Sequence, residues 1–201
     1  FKPDVGIIIN VYPNHLDRHS SLEEYESLKA SLLKNMRNHE LAIVHELFYE
    51  KIKKYLNSTS LPKKIFSFGT NQDSECFYSQ GNLIIKKDNL KISLADTIFN
   101  NPIMAQTAAA ALLAMKYFNV SEEIFQKALK SFKTLPHRFQ KIATINGITY
   151  IDDSKATNLA ATIAAITMLD SPIRLIAGGL SKGENYSSAN HILKSKVIKA
   201  Y

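Results

Sequence analysis

Short apolar runs set between helical patterns constrain this chain more than any other feature. GIIINV (6–11) and LAIVH (41–45) are continuous and rich in β-branched residues, and KIFSFG (64–69) is a third strand-length segment. A strand without a polar face is covered on both sides, which places it inside a parallel sheet with helices above and below. Helical patterns fall between the runs. SSLEEYESLKASLLKNM (20–36) opens on Ser20 and Ser21, with Glu23 and Glu24 three residues on as capping-box partners. Its apolar stripe is predicted at Leu22, Tyr25, Leu28, Leu32 and Met36. LFYEKIKKYLN (47–57) is the next helix, so the fold class is α/β.

CFYSQGNLIIKKDNLKISLA (76–95) reads as small antiparallel hairpins turning at Gln80–Asn82 and Lys87–Asn89. Pro102 stands in the first turn of an alanine-rich helix over 102–118, and Ser121 opens another that reaches 132. Lys133–Arg138, with Pro136 inside it, reads as a linker. A hairpin over 141–152 turning at Asn146–Gly147, a helix over 157–169 and a buried strand RLIAGG (174–179) then predict a parallel crossover. Two domains are expected, 1–134 and 135–201. A strand that starts almost at residue 1, and a last segment HILKSKVIKAY with no closing element, predict a piece of a longer protein.

The 201 residues carry a net charge of +7, from 25 Lys and Arg against 18 Asp and Glu. The lysines are scattered, the arginines are only Arg18, Arg37, Arg138 and Arg174, and no basic stripe is interleaved with aromatics, so no nucleic-acid partner is expected. No apolar run nears the roughly 18 residues that span a bilayer, and the first residues lack a secretory pattern, so no membrane partner is expected. Cys76 is the only cysteine; no intrachain disulfide can form, and a cytoplasmic location is expected.

The chemistry-bearing residues gather at turns, where a scaffold presents groups to ligands. YPNHLDRH (12–19) follows the first strand run, and open α/β sheets bind ligands beyond the carboxyl ends of their strands. His15 there fits a cap or a core position as well as a ligand. Lys29 either pairs with Glu26 on the surface or lies partly desolvated beside the stripe. A desolvated amine can take up carbon dioxide as a carbamate, whose oxygens suit a hard cation. Asn101 is a helix cap or a ligand contact. Arg138, beside His137, offers a forked donor suited to phosphate. In DDSKATN (152–158), Asp152 and Asp153 end a strand and the rest runs toward a helix start, which favours anions; equally, Asp153, Ser154 or Thr157 caps that helix. GGLSKG (178–183) is a glycine turn that lets backbone approach a ligand, or simply a strand-end turn.

Together, NVYPNHLDR (10–18), PHR (136–138), DSKATN (153–158) and GGLSKG (178–183) resemble the Mur ligases, the amino-acid ligases of bacterial peptidoglycan synthesis. DSKATN resembles the branch that adds D-glutamate to UDP-N-acetylmuramoyl-L-alanine. The resemblance implies the later part of a central ATPase domain followed by the start of a Rossmann-like C-terminal domain. A monomer is expected. It implies ATP and Mg2+, with UDP-N-acetylmuramoyl-L-alanine and D-glutamate as substrates joined through an acyl phosphate. It further implies catalytic roles for Lys29, His15 and Lys155, with His15 and carbamylated Lys29 on magnesium. Nucleotide contacts would come from Asn101, His137, Arg138 and Asp153, and substrate contacts from Thr157, Lys182 and Ser154.

The chain departs from the family pattern at Tyr12, Asn14, Asn100 and Met104. The phosphate-binding motif G-x-x-x-x-G-K-[ST] is absent, and Phe68-Gly69-Thr70-Asn71 reads as a turn, so these 201 residues alone are expected to lack ligase activity. Another Mur-type or folylpolyglutamate-type ligase, and a non-catalytic nucleotide-binding module, are the alternatives.

Overall fold

The computed structural model describes residues 1–13, 18–37, 39–56, 62, 64–170, 172–180 and 185–201. His15 and Lys182 lie outside them. The chain divides into two compact units, Phe1–Val11 with His19–Phe132, and Tyr12–Arg18 with Lys133–Tyr201.

The first unit is built on a six-stranded sheet ordered β1-β2-β3-β4-β5-β6, from β1 (Val5–Ile8), β2 (Leu41–His45), β3 (Ile65–Gly69), β4 (Cys76–Ser79), β5 (Asn82–Ile85) and β6 (Leu90–Ser93). The first four strands run parallel, and β4 to β6 form an antiparallel meander. All five residues of β2 are buried, as its unbroken apolar run requires. They alternate between two cores. Leu41 and Ile43 join the cluster with Ala105, Ala109 and Leu112 of α3 (Pro102–Tyr117) and with Phe125 and Leu129 of α4 (Glu122–Ser131). Ala42 and Val44 join Ala30, Leu33, Phe48 and Ile52, from α1 (Leu22–Ala30), the 3-10 turn Ser31–Leu33 and α2 (Glu46–Tyr55). The result is the expected three-layer α/β arrangement.

Two local expectations need correction. The strand β1 stops at Ile8 rather than reaching Val11. The helix expected over 20–36 ends at Ala30 and tightens into the 3-10 turn. Its buried side carries Glu26, Ala30 and Leu33, whereas Leu28 of the expected stripe is 57% exposed. Glu26 tolerates burial because Lys51 Nζ and Tyr55 OH, both on α2, donate to its carboxylate at 2.5 and 2.6 Å. A charge satisfied in this way can occupy a position that pattern reading reserves for apolar residues. Burial alone would raise the Glu26 carboxyl, but the bonds from Lys51 and Tyr55 outweigh it and hold the group below the usual carboxylate range. Burial, helped by Glu26, pushes the Tyr55 hydroxyl up to about 12. The capping box is as expected: Glu24 N–H donates to Ser21 Oγ at 3.1 Å, and Ser20 N–H donates back to the Glu24 carboxylate at 2.6 Å.

In the second unit β7 (Gln140–Ile145) and β8 (Ile148–Asp152) form a hairpin. It turns on Asn146 and Gly147, whose φ of 50° and 78° are the left-handed pair that a tight hairpin turn demands. Then come α5 (Leu159–Met168), β9 (Ile173–Leu175), a 3-10 turn (Tyr186–Ala189), α6 (Asn190–Lys196) and β10 (Val197–Ala200). The expected parallel crossover from the hairpin through α5 is not what forms among the described residues. There β8 pairs with β7, and the parallel pair is β9 with β10, linked through α6. RLIAGG is also not buried over its length, and Ile176 is 85% exposed. A strand in a two-stranded sheet has one neighbour, and little covers its faces.

Candidate functional site

The residues Leu135–Phe139 form a turn that is held from outside. Arg138 N–H donates to Leu135 O at 3.2 Å. His137 and Phe139 have φ of 64° and 46°. Left-handed backbone costs a non-glycine residue roughly 1–2 kcal/mol. The end of β8 and the segment after it offset that cost with three hydrogen bonds. His137 Nδ1 meets Asp152 Oδ2 at 2.7 Å, Lys155 N–H donates to His137 O at 3.1 Å, and Phe139 N–H donates to Asp153 Oδ1 at 2.9 Å. His137 N–H adds a fourth, to Gln140 Oε1 at 2.9 Å. Strained backbone over-determined by its neighbours is a frequent mark of ligand sites. The His137 ring, followed by the Ser154 N–H at 2.9 Å, brings the Asp152 carboxyl down to about 2.

The helix α5 is capped by Asn158, whose Oδ1 accepts from Ala161 N–H at 2.8 Å. Asp153, Ser154 and Thr157 are therefore not its cap. Asp153 instead accepts from Phe139, while Ser154, Lys155 and Thr157 are exposed in the turn ahead of the helix. Thr157 N–H donates to Lys155 O at 3.0 Å. His137, Arg138, Asp153, Ser154, Lys155 and Thr157 thus lie in one pair of bonded turns. Gly178 and Gly179 are irregular backbone, Gly179 at φ 139°, and Lys182 lies outside the described residues.

The first unit carries the remaining candidates. Asn101 caps α3: its Oδ1 accepts from Ile103 and Met104 N–H at 3.1 and 2.9 Å, and its Nδ2 donates to Ile98 O at 3.1 Å. Lys29 is exposed, with Nζ 5.1 Å from the centre of the Tyr25 ring. The expected desolvation beside an apolar stripe is absent because the buried side of α1 lies elsewhere, and Glu26 is taken by Lys51 rather than Lys29. His15 lies outside the described residues. Among the described residues no group of three His, Cys, Asp or Glu side chains could cage a metal. Magnesium that arrives with ATP needs little more than phosphate oxygens, waters and one or two protein ligands.

Sequence reasoning missed two groups at the carboxyl ends of the parallel strands. His45 caps α2: Leu47 N–H donates to its Nδ1 at 3.2 Å, so Nε2 carries the proton and donates to Gln106 Oε1 at 2.7 Å. Glu46 opens α2, and its side chain reaches into the turn after β3. Its carboxylate accepts from Thr70 N–H at 3.1 Å, Asn71 N–H at 2.8 Å and Ser74 Oγ at 3.1 Å. A Cβ on Gly69 would collide with that carboxylate. Successive N–H groups of this kind bind anions, and here the chain supplies its own, so Phe68–Asn71 is a turn as expected.

Partial burial would raise the Glu46 carboxyl, but the N–H groups of Asn71 and Thr70 outweigh it and hold it low. A depressed carboxyl stabilises the fold above its unfolded value, and that stability disappears as pH falls through the folded value. Glu46→Gln is expected to cost about 1–3 kcal/mol at pH 7 and clearly less at about pH 3.5. Urea unfolding at the two pH values checks this, and an equal loss at both would contradict it.

The model of the Mur ligase middle domain matches residues 1–121. The chain belongs to the Mur ligase family. This Mur ligase chain is 33% identical over 202 residues to the UDP-N-acetylmuramoylalanine–D-glutamate ligase of Alkaliphilus oremlandii, covering 98% of the chain and 44% of that relative. It spans less than half the length of the curated relative. Among solved structures it resembles MurF from Acinetobacter baumannii, with a TM-score of 0.72 at 17% identity over 98% of this chain and 50% of that one. It also resembles a bifunctional folylpolyglutamate synthase/dihydrofolate synthase with Mn, AMPPNP and L-glutamate bound, with a TM-score of 0.66 at 17% identity over 98% of this chain and 47% of that one. Both structures share the Mur ligase fold expected from the sequence. No helix among the described residues is long and apolar enough to cross a membrane.

Proposed function

We propose that this Mur ligase chain is part of a cytoplasmic, monomeric, ATP- and Mg2+-dependent enzyme that joins D-glutamate to UDP-N-acetylmuramoyl-L-alanine. Residues 1–134 would belong to its central ATP-binding domain and 135–201 to its amino-acid-binding domain. The strongest support is the turn Leu135–Phe139 bonded to DDSKATN, which holds the Arg138 guanidinium and the Lys155 ammonium on two turns joined by backbone hydrogen bonds.

In the proposed reaction the carboxylate of the alanine end attacks the γ-phosphorus of ATP. ADP leaves and an acyl phosphate forms. The amine of D-glutamate then attacks the acyl carbon, phosphate leaves, and an amide remains. The charge to be offset sits on phosphate oxygens and does not migrate far, so fixed cations serve both steps. Arg138 never loses its charge and its fork matches phosphate. Lys155 supplies a point charge from a backbone tied to His137. Asp153 keeps Phe139, and with it Arg138, in place. Thr157 and Lys182 would hold the α-carboxylate of the incoming amino acid, while magnesium, when bound with ATP, shares the phosphate charge.

The test is ADP release by the full-length enzyme with UDP-N-acetylmuramoyl-L-alanine and a panel of amino acids. D-glutamate alone is expected to support turnover, and the 201-residue chain by itself is expected to give none. Equal turnover with L-lysine, or with L-glutamate on a folate acceptor, would overturn the assignment.

A further inference from the structure

The same two bonded turns contain a group that the proposed reaction leaves without a role. Asp152 belongs to the end of β8, partly buried, and both of its oxygens are in use. Its Oδ1 accepts from Ser154 N–H at 2.9 Å, and its Oδ2 meets Nδ1 of His137 at 2.7 Å. A carboxylate that is anionic can only accept, so Nδ1 must be the protonated ring nitrogen. The opposite nitrogen, Nε2, then points away from Asp152 by the geometry of the ring. The His137 side chain is 56% exposed.

We propose that Asp152 is a positioning residue of the nucleotide site: by accepting the Nδ1 proton of His137 it fixes the ring and presents Nε2 to ATP as a hydrogen-bond acceptor. This rests on the nucleotide role proposed above for His137. Which ring nitrogen carries the proton is set by the partner of the other, and no second partner is needed here. His137 is itself in left-handed backbone, with its N–H on Gln140 and its carbonyl receiving Lys155 N–H, so main chain and ring are both held before any ligand arrives. The Asp152 carboxyl, brought down to about 2 by this pairing, stays an acceptor at every pH at which the enzyme would work.

Asp152→Asn separates orientation from mere structure. The amide keeps its Oδ1 on Ser154 N–H, which leaves Nδ2 facing the ring as a donor, so the ring must turn over to the Nε2-protonated form. The size, the turn and the fold are retained. In full-length enzyme labelled with 15N-histidine, wild type is expected to show His137 protonated at Nδ1, and Asp152→Asn at Nε2. The KM for ATP is expected to rise about three- to tenfold in Asp152→Asn, with kcat changed less than about threefold, the scale of one net hydrogen bond to a neutral donor of ATP. His137→Ala provides the second arm. A rise in KM with His137→Ala but none with Asp152→Asn, or an Nε2-protonated ring in wild type, overturns the positioning role while leaving the ligase assignment intact. An unchanged KM in His137→Ala overturns the nucleotide role of the ring itself, and the proposal with it.

Discussion

Replacing Lys155 with alanine in the full-length enzyme is expected to lower kcat by about 100- to 1,000-fold with little change in the KM for ATP. Losing one preorganised group that meets developing charge costs about 2.7–4 kcal/mol in comparable sites, which sets that range. The side chain is exposed in the structure, so its removal leaves no cavity. Its backbone contacts survive as well, since the N–H bond to His137 O and the carbonyl bond from Thr157 N–H do not involve the side chain. A melting temperature equal to wild type with a collapsed kcat would locate the loss in chemistry. Lys155→Arg keeps the charge but not the compact ammonium, and is expected to recover only part of the rate. Wild-type kcat in Lys155→Ala would remove the residue from the reaction.

Phe68→Ala is expected to cost about 3–5 kcal/mol, the largest loss of stability from any single change considered. The ring is fully buried in the cluster shared by β2, β3, β4 and α3, and it stands edge-on to His45 with ring centroids 5.4 Å apart. His45 in turn caps α2 and reaches Gln106 on α3, so an empty space at Phe68 would loosen the contacts of both helices. Leu28→Ala makes the contrasting case. Periodicity places Leu28 in the core, but its 57% exposure predicts a change within about 0.5 kcal/mol. Urea unfolding of the two variants checks the pair, and a Phe68→Ala loss below about 1 kcal/mol would contradict the packing described.

The contrast shows what a one-dimensional pattern reveals. The strand β2 was readable because all its residues are apolar, and a strand buried on both faces permits nothing else. The caps Ser21, Asn101 and Ser121 and the hairpin turn at Asn146–Gly147 were readable because their chemistry is local. The buried side of α1 was not readable, because Glu26 is satisfied by Lys51 and Tyr55, 25 and 29 residues away. For the same reason the His137–Asp152 contact, 15 residues apart, gave no local signal, and the left-handed residues His137 and Phe139 contain no glycine to announce them. DSKATN could be singled out as a motif, but which of its residues caps α5 depended on where the helix begins, at Leu159, which makes Asn158 the cap.

Cys76 pairs with Phe68 across β3 and β4, fully enclosed, and its surroundings push the thiol up to about 12. The chain's sole sulfhydryl is therefore inert to alkylating and disulfide reagents while these strands stay together. Its labelling rate consequently counts the openings of the sheet, an inbuilt gauge that needs no engineered probe.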